Sequence, residues 1–275
     1  MLYSHCMELL DSIILGLVQG VTEFLPISSS AHLHLIQEWL KIDDVNALAS
    51  TAMLHFATAL AIMFYFWTDI LVILRAMLRK LGRLPVNERD VVLLYAVVLG
   101  IIPAIALGFL LEPFFAESFA SIGLWSAMLV VSSIFMMYVE WRYYLRPSHE
   151  VITAQKGLLI GLFQVLSLIP GFSRPGSTIA GGMLLGLSRY EAARFSFLLA
   201  MAVTLGVGTK KLIDLIQVDG TVAWMSVFIA AVVAFVTALL TIHLFLNYIK
   251  RRTLWPFIWC NVILAALAGY VAFIA

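Results

Sequence analysis

Charge is scarce in this 275-residue chain: 12% of its residues are Asp, Glu, Lys or Arg, 63% are hydrophobic, and the mean hydropathy is +1.01. Soluble domains carry about 25% charged and roughly 45–50% apolar residues, so a water-soluble fold is excluded. Cysteine is nearly absent too. Cys6 and Cys260 stand at opposite ends without ligand spacing, which rules against a disulfide framework or a zinc site and leaves both as packing residues. The alternating segments of a membrane β-barrel are missing, and the apolar runs are long and continuous, which in lipid means helices. No short apolar stretch with a cleavable small-residue site precedes Glu8 and Asp11, so the first helix is expected to stay in the mature protein. A net charge of +1 offers no concentrated basic face for nucleic acid.

What is present is an all-α polytopic membrane protein. Six segments are long and apolar enough to cross about 30 Å of hydrocarbon: 47–67, 91–111, 122–139, 189–208, 223–248 and 254–274. Two regions differ. Residues 9–40 are interrupted by Pro26 and a serine cluster, and residues 157–187 by Pro170, Gly171 and Pro175. Broken helices survive at membrane depth where protein or a wet cavity satisfies the freed backbone groups, so both regions are expected to be re-entrant helix-loop-helix hairpins. The whole chain reads as one membrane domain, with residues 1–139 as a first repeat, 157–275 as a second and 140–156 as a cytoplasmic connecting loop.

Placing the loop from Asp69 to Asp90 inside assigns twelve of the seventeen Lys and Arg residues to the cytoplasm and leaves Lys41, Lys210 and Lys211 outside. In that orientation the first hairpin enters from outside and the second from the cytoplasm, an inverted-topology repeat. Gly16-Leu17-Val18-Gln19 in one and Gly161-Leu162-Phe163-Gln164 in the other echo each other. Inverted repeats bring broken helices together near the midplane, so the two hairpin loops are expected to converge.

Ionisable groups within hydrocarbon are costly and mark cavities or pathways. The first hairpin offers Gln19, Glu23, Ser28, Ser29, Ser30 and His32; the second offers Ser173, Arg174, Ser177 and Thr178. Gln19 and Glu23, spaced i, i+4, share a helix face, and their oxygens suit a hard divalent cation, Mg²⁺ or Ca²⁺, completed by water and phosphate oxygens. A structural Glu23–Arg174 ion pair is the plainer alternative. Arg174 carries the planar donor fork that recognises phosphate, and the helix break around Pro170 and Pro175 exposes amides that could hold an anion. The serines also serve as helix caps in many proteins. His32, after the serine cluster, is a candidate nucleophile, or a general base for Ser29 or water, while His34 and His55 are weaker candidates.

At these hairpins the sequence resembles the undecaprenyl-pyrophosphate phosphatase family of bacitracin-resistance membrane enzymes. Gln19 to Glu23 looks like the family's glutamate motif, Ser28 to His32 like its serine-histidine stretch, and Pro170 to Thr178 like its PGxSRSxxT signature. The likeness continues through Gly100–Gly108 and Gly182–Ala200. It implies a metal-dependent enzyme of the bacterial inner membrane that removes the terminal phosphate of undecaprenyl pyrophosphate, recycling the lipid carrier of envelope polymers, with its active site facing the periplasm. Glu23, Ser29, His32 and Arg174 would be catalytic; Ser28, Ser30, Ser173, Arg174, Ser177 and Thr178 would bind substrate; Gln19 and Glu23 would hold the metal. A homodimer is one possible assembly. Three residues depart from the pattern: Ala31 replaces the usual glycine, Pro175 the second serine of SRS, and Gln19 is the neutral option of the metal motif.

Two rivals belong to other classes. Inverted repeats with broken helices are also the architecture of secondary transporters of anionic lipids or solutes. The other membrane lipid-phosphatase family needs a histidine where this chain has Ala180 or Phe195.

Overall fold

The computed structural model describes residues 7–118, 122–217 and 220–274. Cys6 lies outside them, and Cys260 is half-buried and free. The described residues form α1 (Leu9–Thr22), α2 (Ser29–Trp39), α3 (Asp44–Tyr65), α4 (Trp67–Leu81), α5 (Glu88–Ser118), α6 (Ile122–Leu145), α7 (Ala154–Val165), a single 3-10 turn (Leu166–Leu168), α8 (Arg174–Leu184), α9 (Arg189–Ile216), α10 (Trp224–Ile249) and α11 (Trp255–Ile274).

Five of these helices are long and apolar enough to cross a membrane: Asp44–Tyr65, Glu88–Gly108, Gly123–Leu145, Arg189–Ile216 and Trp224–Ile249. They match five of the six expected spans. The sixth, α11, counts over Trp255–Tyr270 as a shorter apolar helix. The two interrupted regions are pairs of short helices. At about 1.5 Å per residue, α1 with 14 residues, α2 with 11, α7 with 12 and α8 with 11 all fall short of about 30 Å of hydrocarbon.

The stretch expected as a loop after Asp69 is largely helical. In α4, Ile70, Leu71, Leu74, Met77, Leu78 and Leu81 recur at helical spacing, and Arg75, Arg79 and Lys80 flank that apolar stripe. Charge therefore marked the segment as non-spanning without making it irregular. Likewise α6 continues to Leu145, so Glu140 and Arg142 are helical rather than part of the connecting loop.

Two compact units make up the chain, each drawing on both halves of the sequence. The first comprises residues 7–25, 29–65 and 201–245. Within it α1 packs on α2 and α3, over a core that includes Leu15, Leu33, Ala49, Leu54, Val227 and Ala230. A methyl group added at Gly16 or Gly20 would strike the Ala230 or Ala234 carbonyl, so α1 rests backbone to backbone on α10. Both partners advance by four residues, so the two helices run parallel. Small residues permit this approach, which supports helix association without a hydrophobic driving force.

The second unit comprises residues 26–28, 66–200 and 246–274. Its closest packing repeats that device: Gly157 lies on Ala96 and Gly161 on Gly100, making α7 and α5 parallel neighbours. Phe163 stacks on Phe135 of α6, with ring centroids 5.9 Å apart, and fills the space beside Gly181 of α8. Ion pairs fix the helix ends. Arg189 donates to Glu140 from Nε at 3.0 Å and from Nη2 at 2.5 Å, and the Leu254 N–H donates to the same carboxylate at 2.6 Å. Arg194 pairs with Asp69, tying α9 to α4.

Candidate functional site

The first hairpin gathers a polar cluster at the end of α1. Gln19 and Glu23, one turn apart, are 0% and 5% exposed. Gln19 Nε2 donates to Glu23 Oε2 at 3.1 Å, and the Ser29 hydroxyl, opening α2, donates to the same oxygen at 2.7 Å. These two donors offset part of the cost of removing that oxygen from water. Gln19 Oε1 is buried and accepts no hydrogen bond. His32 lies one turn along α2 from Ser29 on the same helical face and is half-buried, while Ser30 and His34 are exposed. His55 is buried in α3, its Nδ1 2.8 Å from the Thr51 carbonyl oxygen.

Between α1 and α2 the chain turns sharply. Ser28 is 2% exposed and has φ of 60°, a left-handed conformation that costs a non-glycine residue about 1–3 kcal/mol unless the surroundings impose it. One such restraint is visible: fully buried Asn261 of α11 donates from Nδ2 to the Pro26 carbonyl at 2.8 Å. Sequence reasoning missed Asn261. A lone amide within an apolar helix was the available signal.

The second hairpin is organised by α8. Gly171 turns the chain at φ of 99°, in a place where a side chain would meet Met128 and the Trp125 carbonyl. Ser173 then caps the helix, its Oγ accepting from the Gly176 N–H at 3.2 Å while its carbonyl accepts from the Ser177 N–H at 2.9 Å. Pro175 has no N–H to give. The first-turn amides are thus largely committed, and an anion here would depend on side chains more than on the helix terminus. The Ser177 hydroxyl donates to the Ser173 carbonyl at 3.0 Å; Thr178 Oγ1 donates to the Arg174 carbonyl at 2.9 Å and lies 2.5 Å from Ser196 Oγ. Arg174, half-buried at the first position of α8, brings the positive charge of this hairpin.

The structure therefore joins Gln19, Glu23 and Ser29 by hydrogen bonds in one cluster, and Ser173, Ser177 and Thr178 around the start of α8 in another. For a metal the donor set is modest. Among the described residues no three His, Cys, Asp or Glu side chains gather as a metal centre. The Glu23 carboxylate and the unengaged Gln19 Oε1 are hard oxygens that fit Mg²⁺ or Ca²⁺ with water and phosphate filling the shell.

The chain matches the family model described as bacitracin resistance protein BacA over residues 12–267. It is 36% identical over 265 residues to an undecaprenyl-diphosphatase of Micrococcus luteus, covering 95% of this chain and 96% of the relative. A relative named undecaprenyl-diphosphatase 2 from Frankia casuarinae is 38% identical, with 95% and 94% covered, and an undecaprenyl-diphosphatase of Alteromonas mediterranea is 36% identical, with 97% and 100% covered. With a match spanning both hairpins and nearly every helix, the chain belongs to the bacitracin resistance protein BacA family.

Proposed function

We infer that this chain is an undecaprenyl-diphosphatase, a membrane hydrolase that cleaves the phosphoric anhydride of undecaprenyl diphosphate to give undecaprenyl phosphate and inorganic phosphate. The observation that carries the reading is the buried Glu23 carboxylate with the Ser29 hydroxyl donated to it at 2.7 Å. A buried carboxylate holding a hydroxyl is positioned to take its proton as the oxygen attacks phosphorus. His32, one turn along α2, is the second candidate for nucleophile or base.

Attack on the terminal phosphorus expels the lipid monophosphate, and water completes the hydrolysis. Negative charge on the transferred phosphoryl group must be met by preorganised donors, which in general do most to lower the barrier of such reactions. Arg174 is assigned to that role, with Ser28, Ser30, Ser173, Ser177 and Thr178 as the substrate-facing hydroxyl set. Gln19 and Glu23 would hold a divalent cation, Mg²⁺ or Ca²⁺, whose charge neutralises phosphate oxygens when bound. The Lys and Arg distribution supports an orientation with α4 toward the cytoplasm, and the reaction is assigned to the periplasmic side of the bacterial inner membrane. The product lipid phosphate would re-enter envelope polymer synthesis.

The test is phosphate release from undecaprenyl diphosphate by detergent-purified protein, with and without chelator. Glu23→Ala and Arg174→Ala should each reduce turnover by about 10²-fold or more while the protein stays folded, the scale on which such stabilising groups act. Turnover near that of the parent in either variant removes that residue from the mechanism. Substrate counterflow in proteoliposomes without any phosphate release would favour a transporter instead.

A further inference from the structure

Gln164 has no role in the reaction as described, yet its side chain is anomalous. It is 1% exposed, and both Nε2 and Oε1 are buried without a hydrogen-bond partner. Its backbone is served locally: the Gln164 carbonyl accepts from the Ser167 hydroxyl at 2.7 Å. Folded proteins rarely sustain an amide buried at both ends unless a ligand or ordered water meets it.

The position is specific. Gln164 stands on the last turn of α7, just before the chain turns through Pro170 and Gly171 toward Ser173 and Arg174. It continues the buried face formed by Gly157, Ile160 and Gly161. Because Gly157 lies on Ala96 and Gly161 on Gly100, the parallel register sets Gln164 level with buried Pro103 of α5.

An internal comparison points the same way. In the first hairpin Gly16 meets a long helix's carbonyl and Gln19, three residues later, is fully buried with an unpartnered amide oxygen. In the second, Gly161 meets such a carbonyl and Gln164 follows at the same spacing. Gln19 has Glu23 four residues on to take its Nε2; Gln164 has Leu168 there, which takes nothing.

We propose that Gln164 is a substrate-binding residue of the second hairpin, its amide donating to a phosphoryl oxygen of the lipid diphosphate. The assignment rests on the phosphatase reading above. Its test uses the purified full chain with Gln164→Leu and Gln164→Met, which remove the hydrogen-bonding groups and keep the volume. Thermal midpoint, phosphate release and the midpoint shift produced by farnesyl diphosphate are measured together. A residue that serves the ligand and not the fold gives variants as stable as the parent or more so. Their kcat/KM falls about tenfold to a hundredfold, the worth of one hydrogen bond to a charged group, and the farnesyl diphosphate shift shrinks. Parental activity in both variants overturns the proposal. So does a lowered midpoint with an unchanged ligand shift, the signature of an amide that holds a structural water. A parent that releases no phosphate from any prenyl diphosphate would refute the functional reading instead, and the farnesyl diphosphate shift would still decide whether Gln164 binds the headgroup.

Discussion

Replacing Glu140 by Ala should separate stability from catalysis in this protein. The Glu140 carboxylate is 1% exposed, takes two donors from Arg189 and a third from the Leu254 backbone, and so joins α6, α9 and the start of α11. Arg189 also lies over the Tyr143 ring, its guanidinium carbon 4.3 Å from the centroid. Alanine removes the carboxylate and leaves a mostly buried cation and a buried N–H without an acceptor. Breaking a buried pair by deleting one partner costs about 3–5 kcal/mol. At about 2–4 °C per kcal/mol for a chain of this size, the thermal midpoint in mild detergent should fall by roughly 6–20 °C. Scanning fluorimetry measures that midpoint, and kcat well below it should be unchanged, because Glu140 has no part in the proposed reaction. Glu140→Leu combined with Arg189→Met should regain most of the loss, since well-packed apolar pairs commonly equal a buried ion pair. A single Glu140→Ala variant as stable as the parent would refute the reasoning.

Two further substitutions test other features. Ser29→Ala deletes the hydroxyl that donates to Glu23 and should lower kcat at least about tenfold, and taking one donor from a buried carboxylate should also lower the midpoint by the equivalent of about 1–3 kcal/mol; parental turnover would show the hydroxyl to be idle. Gly161→Ala forces a methyl group into the Gly100 backbone and should cost about 1–3 kcal/mol, whereas Gly206→Ala, with nothing within 4 Å, should be neutral or stabilising; equal midpoints for the two would contradict the close α5–α7 contact.

The membrane class and most of the spans were legible because hydrocarbon enforces helix wherever polar residues run out. The interruptions were legible too, since Pro26 and Pro170-Gly171 stop helices before they can reach spanning length and leave pairs of short ones. Segment α4 was not, because its arginines and lysine masked an apolar stripe that only helical spacing reveals. At the site, Gln19 and Glu23 could be paired from their i, i+4 spacing, and Ser29 stood close enough in sequence to join them. The Asn261 contact to Pro26 bridges 235 residues, and the Glu140 network depends on three separated helix ends. Such partnerships follow from packing and leave no local pattern. Ser173 illustrates a further gap: its type announced a cap or a ligand equally well, and the capping bond from the Gly176 N–H depends on a helix start that the sequence alone does not fix.

The glycine contacts that seat α1 on α10 and α7 on α5 have a consequence for biosynthesis. When α7 is made, its support in α5 has already been translated. For α1 the order is reversed, because Gly16 waits for Ala230, 214 residues later. At about 5–20 residues per second, the nascent first hairpin spends on the order of ten to forty seconds without its permanent seat. Over that interval α1 lacks the α10 backbone that Gly16 and Gly20 fit against, so the earliest helix of the chain reaches its final packing only when synthesis is nearly over.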